Sequence, residues 1–400
     1  MASSLPADDP LGGDEGPSGS ALRRFLKTEY AGGVVLLVAA VVAVVWASSG
    51  WSSSYVSFWG TKVSVGFGDD AIRESLQHWV NDLLMAVFFF VVGLEIKREV
   101  VHGELRSPRT AALPIVCAVG GMVVPALVYL AAIGGAEGRH GWGIPMATDI
   151  AFALGVLALV GSRVPSSLKL FLLTLAIVDD LGAIAVIAVF YADDVSLGWL
   201  VVAAAAVVVV LVMRRAGVTP IVAYVPVAAV LWFAVFESGV HATVAGVVLA
   251  LLTPARPVGR REAPTERLEH LLHPWSAFVI LPLFALANAG INLTSSGGAP
   301  WSSPVGRAVF LGLVVGKPVG IVTAAAIAVR TRLAPLPEGA TWRDLVGVGA
   351  IAGIGLTVSL FITDLAFEPH LQAEAKVAIL TASLVAGALG AAVFLARRAP

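Results

Sequence analysis

Charge is scarce in this chain: Asp, Glu, Lys and Arg make up 13% of its 400 residues, while 58% are hydrophobic. A soluble protein carries about 25% charged residues, so this composition excludes a soluble enzyme and a nucleic-acid-binding module, and leaves a polytopic membrane protein. The formal net charge of -1 names no partner, because in a membrane protein the position of each charge matters more than the sum. Cysteine is nearly absent. The single Cys117 excludes an intrachain disulfide, and within PIVCAVGGMVV it reads as a small buried packing residue. Residues 1-22 contain no long apolar segment of the kind that makes a cleaved signal peptide. Their Ser, Pro, Gly and Asp content predicts a disordered cytoplasmic tail, with 23-400 as a single transmembrane domain.

What the chain has in abundance is apolar runs. A membrane helix needs about 20 mostly apolar residues, and twelve runs qualify, near 31-49, 79-96, 110-133, 138-161, 168-191, 197-213, 219-236, 239-253, 274-292, 305-329, 344-366 and 374-396. Of the 26 Lys and Arg residues, twenty fall in one set of alternating connections, five (Lys62, Arg73, Arg139, Arg307, Lys376) in the other, and Lys317 inside a run. That asymmetry predicts twelve spans with both termini cytoplasmic.

The first outer loop is long, and SSYVSFWGTKVSVGFGDD alternates large apolar with small polar residues around Gly60. This pattern predicts a small β-hairpin over Ser54 to Phe67, whose edge offers a homodimer contact, an isolated loop structure being the alternative. The fourth and eleventh runs are poor helices. Gly138, Gly141, Gly143 and Pro145 precede Thr148-Asp149 in one, and Gly347, Gly349, Gly353 and Gly355 crowd the other. Irregular backbone at that depth is tolerated only where protein buries it or a polar cavity faces it. Spans 3-5 and 10-12, each centred on an interrupted helix, therefore predict an inverted repeat with a site at the crossing.

The chemistry gathers at mid-membrane. The stretch LLTLAIVDDLGAIAVI sets Asp179 and Asp180 in the middle of the fifth span, Lys317 is central in the tenth, and Asp149 falls at the break of the fourth. Intramembrane ionisable residues are expensive and mark functional sites. Adjacent helical residues point about 100° apart, so one Asp faces an ion and its neighbour answers Lys317. Hard cations take oxygen ligands, which Asp180, Asp149 and Thr148 offer, with no Cys or His cluster to suggest a transition metal. Taking a carboxylate out of water disfavours its charged form, so one group holds either H+ or Na+, and competition combined with alternating access makes an antiporter.

The strings NDLLMAVFFFVVGLEIKRE, ATDIAFALGVLALVGSRVP, LLTLAIVDDLGAIAVIAVFY, ESGVHATVAG, RLEHLLHPW, LPLFALANAG and GKPVGI together resemble the NhaA family of bacterial Na+/H+ antiporters, over roughly 23-396. The resemblance implies an inner-membrane transporter, not an enzyme, that exchanges external H+ for internal Na+ or Li+ electrogenically, is active at alkaline pH and needs no cofactor. It implies that Asp180 is the main cation and proton carboxylate and that Asp179 pairs with Lys317. It also implies that Asp149 and Thr148 sit at the crossing, where Asp149 and Lys317 balance half-helix termini. A pH-sensing cluster would comprise Glu95, Lys97, Arg98 and Glu99 at the end of span two with Glu269, His270 and His273 at the start of span nine. His241 matches a further pH-linked position, and Asp82 a structural acid. The acidic N-terminal tail is the visible departure from the family pattern. Two readings from other classes compete. An intramembrane aspartyl protease needs its two acids on facing helices, and a passive cation channel needs a repeated carbonyl filter; the sequence shows neither.

Overall fold

The structure is a computed structural model describing residues 17-66, 72-135, 137-192, 194-256, 262-292 and 299-397, with side chains except those of 17-29 and 162. In chain order the elements are α1 (Pro17–Ser48), α2 (Ser52–Trp59), β1 (Lys62–Val65) and β2 (Ile72–Ser75). There follow α3 (Leu76–Val101), α4 (Pro108–Ile133), a 3-10 segment (Arg139–Met146), α5 (Ile150–Val160), α6 (Ser166–Phe190) and α7 (Leu197–Arg215). The chain continues through α8 (Ile221–Glu237), α9 (Thr243–Leu252), α10 (Pro264–Asn288), α11 (Pro304–Arg330), α12 (Trp342–Ala352), α13 (Leu356–Ala366) and α14 (Pro369–Leu395).

All twelve apolar runs are helical in this all-α polytopic membrane protein. Eight supply helices long and apolar enough to cross a bilayer, and two supply shorter helices. The remaining two are bent pairs: the 3-10 segment meets α5 at 41° and α12 meets α13 at 47°. Both breaks fall at the predicted glycine- and proline-rich stretches.

Three expectations need correction. The helix α1 begins at Pro17, so 17-22 of the predicted tail are helical, while 1-16 lie outside the described residues. The hairpin lies further along the chain: Ser54 to Trp59 is helical, and the strands pair antiparallel from Lys62↔Ser75 to Val65↔Ile72. The period-two pattern of SSYVSFW also places Tyr55 and Trp59 four residues apart, and burying both on one helix face is what the fold exploits. Tyr55 Oη donates to the carbonyls of Leu286 and Ala287 at 2.9 and 2.8 Å, anchoring α2 on the end of α10. Phe67 lies outside the described residues. Third, the run 239-253 contributes only the ten residues of α9. Ahead of it Gly239 adopts φ +78°, and the Ser238 side chain accepts from Val240 N–H, so the chain turns before the helix starts. At about 1.5 Å per residue α9 is about 15 Å long, half the hydrocarbon thickness.

Candidate functional site

The two breaks meet. Asp149 N–H donates to Ile354 C=O at 2.6 Å, and the Thr148 hydroxyl donates to Ala352 C=O at 2.9 Å, so each interrupted helix satisfies backbone that the other frees. Asp149 serves both half-helix N-termini. Its Oδ1 accepts from Phe152 N–H, capping α5 at 3.1 Å, and its Oδ2 accepts from the N–H and hydroxyl of Thr357 at the start of α13, at 3.1 and 2.9 Å. A negative charge is stabilising there because helix N-termini carry partial positive charge. Lys317 makes the opposite match, its ammonium donating to Met146 C=O at the C-terminal end of the 3-10 segment.

Glycine and proline bring Lys317 to that position. A Cβ on Gly316 would lie 2.7 Å from Pro125 Cα, and one on Gly312 would lie 2.6 Å from Pro145 Cβ, so α11 lies directly against α4 and the 3-10 segment. Gly120 and Gly320 face one another so closely that a Cβ on either would overlap the other's carbonyl oxygen, the small-residue contact typical of membrane helix pairs. A π-turn over Gly312–Gly316 then delivers Lys317, fully buried, to Asp179 Oδ2 at 2.7 Å. The same oxygen lies 2.8 Å from the Thr148 hydroxyl, whose single proton it shares with Ala352 C=O.

Asp180 is placed differently. It is buried and lines a cavity of about 50 Å³ with Thr148, Asp149, Thr357, Ser276, Glu95 and His273; among the described residues its Oδ1, like that of Asp179, has no hydrogen-bond partner. That is room for a few waters or one partly hydrated small cation. Asp179 and Lys317 do not line it. The carboxylates one residue apart thus have separate surroundings, one in an ion pair and one on the cavity.

The cavity leads towards the end of α3 and the start of α10. There Arg98 pairs with the buried Glu269 and with Glu99 Oε1 at 3.5 Å, while His273 Nε2 stands 3.9 Å from Glu95 Oε1. Lys97 donates to the carbonyls of Leu251 and Thr253 at the end of α9. One residue of the predicted cluster, His270, lies apart from it, and His241 is a separate position. His270 faces outward, 3.3 Å from Glu262 Oε1 with 67% of its side chain exposed. His241 is at the far end of α3, 3.4 Å from Asp82 Oδ1 and bonded to Thr243 Oγ1 at 2.9 Å.

Sequence reading missed Thr357, the hydroxyl that holds Asp149. The signal was the second break itself, since Thr357 is the first hydroxyl after Gly353 and Gly355. Thr357→Val removes one of the hydrogen bonds to the Asp149 carboxylate, each worth about 1.5–3 kcal/mol when an acceptor is charged. It is expected to lower the melting temperature and raise the half-saturating cation concentration for transport, with Thr357→Ser restoring both.

Interrupted helices crossing over buried carboxylates beside a cavity define the class: a polytopic membrane protein whose site lies where two broken helices meet, the arrangement of secondary transporters. The chain belongs to the Na+/H+ antiporter 1 family, whose model it matches over residues 23–394. It is 47% identical to the Na(+)/H(+) antiporter NhaA of Oleidesulfovibrio alaskensis over 91% of each chain. It is 48% identical to the protein of that name from Escherichia coli O1:K1, covering 92% of this chain and 96% of the relative. The Shewanella frigidimarina relative, also named Na(+)/H(+) antiporter NhaA, is 47% identical over 92% and 95% respectively.

Proposed function

We propose that this chain is an electrogenic Na+/H+ antiporter of the bacterial inner membrane, with both termini cytoplasmic, exporting Na+ or Li+ in exchange for external H+. The observation that carries the reading is the placement of the buried Asp180 on the cavity, beside an Asp179 that lies off it and is engaged by Lys317. Asp180 binds a cation or a proton; Thr148 and Asp149 complete the oxygen-rich floor. Asp179 with Lys317 supplies a second proton-linked group, which supports an exchange of more than one H+ per cation. The named relatives support the choice of Na+ and H+.

Activation at alkaline pH belongs to the same proposal. The ion pairs of Arg98 with Glu269 and of His273 with Glu95 tie α3 to α10 at the cavity mouth, where a change in protonation alters the contacts between two cavity walls. Glu99 adds to that group, and His270 and His241 act on it from a distance. A homodimer is proposed through the exposed strand Lys62–Val65.

Purified protein in liposomes carrying a pH gradient tests the reading. Added Na+ or Li+ is expected to collapse the gradient, and clamping the membrane potential with K+ and valinomycin to speed the exchange. A gradient indifferent to Na+ and Li+ would overturn antiport, and a rate indifferent to the clamp would overturn electrogenicity.

A further inference from the structure

The cavity occupies one end of a longer seam. One wall is α3 and α10, and the other is the crossing with α13. On α3 the cavity residues run from Phe88 to Glu95, and Asn81 lies fourteen residues from Glu95, about 20 Å along the helix. Asn288 is similarly remote from His273 on α10. On α13, Thr357 lines the cavity, Phe361 stands four residues on and Asp364 seven, so the three share one helix face.

Along that face the seam is shut twice. Phe361 is buried against Phe89 and Phe284 of the opposite wall, with ring centroids 5.7 and 6.1 Å away, and against His241 in the turn ahead of α9 at 4.8 Å. Beyond it, Asp364 Oδ2 accepts from Asn81 Nδ2 at 3.2 Å. Asn81 is held in turn by Asn288, whose Nδ2 donates to its Oδ1 at 2.7 Å, and Gln77 donates to Asn288 Oδ1 at 2.9 Å. Asn81 sits in a π-turn, Val80–Leu84, a local irregularity common at functional positions.

The contacts of Asp364 are unequal. Lys376 of α14 reaches its Oδ1 at 2.8 Å, both side chains at most 10% exposed, and this ion pair joins α13 to α14 on the same wall. Among the described residues, only Asn81 bonds it across the seam. Breaking a buried ion pair leaves an uncompensated charge, whereas releasing a neutral amide does not. We infer that the outer half of α13 is the gate on the side away from the cavity: Phe361 is its plug, Asp364 with Asn81 its latch. Lys376 keeps the Asp364 charge paired when the latch opens. The inference rests on the transport reading, since a gate serves only a site exposed to each side in turn.

Val358 lines the cavity and is the reporter. In a Cys117→Ser background, Val358→Cys is expected to react with a membrane-impermeant thiol reagent from the cavity side of sealed vesicles and to resist it from the other. Adding Asn81→Ala or Phe361→Ala should raise the far-side rate at least about tenfold, as a shift in a two-state population. A far-side rate indifferent to both substitutions overturns the gate. In a second measurement, Asn81→Cys with Asp364→Cys, bridged by a short bifunctional methanethiosulfonate, should stop Na+/H+ exchange until reduced while Na+ still binds. Bridged protein that exchanges at the unbridged rate overturns the latch, and unaltered protein that never exchanges overturns the transport reading itself.

Discussion

Asp180→Asn is expected to reduce Na+/H+ exchange to the level of empty liposomes at every pH and Na+ concentration, without loss of the fold. The amide keeps the size of the carboxylate but neither binds a proton in its place nor offers a charge to a cation. Among the described residues Asp180 makes no ion pair, and its neighbour Asp179 carries the bond to Lys317. Neutralising it removes a buried charge beside another, so the melting temperature should hold or rise. Transport surviving in this variant removes Asp180 from the centre of the mechanism; transport lost together with the fold assigns it a structural role.

The opposite outcome is expected at Lys317. Removing one partner of a buried ion pair leaves the other charge unpaired at a cost of about 3–5 kcal/mol, and Lys317 also holds Met146 C=O at the end of a half-helix. Lys317→Ala should therefore melt at a markedly lower temperature. Combining Lys317→Met with Asp179→Asn removes both charges and should recover much of that stability, because an apolar and neutral replacement of a buried pair is often tolerated. The double variant retains Asp180 and still binds Na+ if the division of labour is right. A Lys317→Ala protein as stable as the unaltered chain would show that the pair contributes nothing to the crossing.

Much of this site is legible in the sequence because its costs are high. Asp179, Asp180 and Lys317 within apolar runs are anomalies that only a site explains, and Gly353, Gly355 and Pro145 interrupt helices where hydrocarbon forbids free backbone. Helix geometry says only that the two aspartates face different surroundings, and which of them faces the ion is what the family resemblance implies; in the structure Asp180 lines the cavity and Asp179 pairs with Lys317. What escaped the sequence depends on tertiary contact. Tyr55 and Trp59 satisfy strand and helix patterns alike until α10 is there to receive Tyr55. Ser238 and Gly239 shorten α9 through a turn that composition does not mark. Thr357, Asn81 and Asp364 are ordinary polar residues until the fold sets one against Asp149 and joins the other two across a seam. His270 belongs by sequence to one cluster with Glu269, yet rotation about α10 turns it outward, beside Glu262.

The central claim is that a cation and protons compete for one buried carboxylate, and the pH dependence of Na+ binding to the purified protein tests it without any need for transport. Measured by titration calorimetry, Na+ affinity should weaken with falling pH in the range where Asp180 takes up a proton, approaching about tenfold per pH unit for each proton displaced. Na+ affinity that stays flat across that range would contradict competition, and with it the coupling that the structure is read to perform.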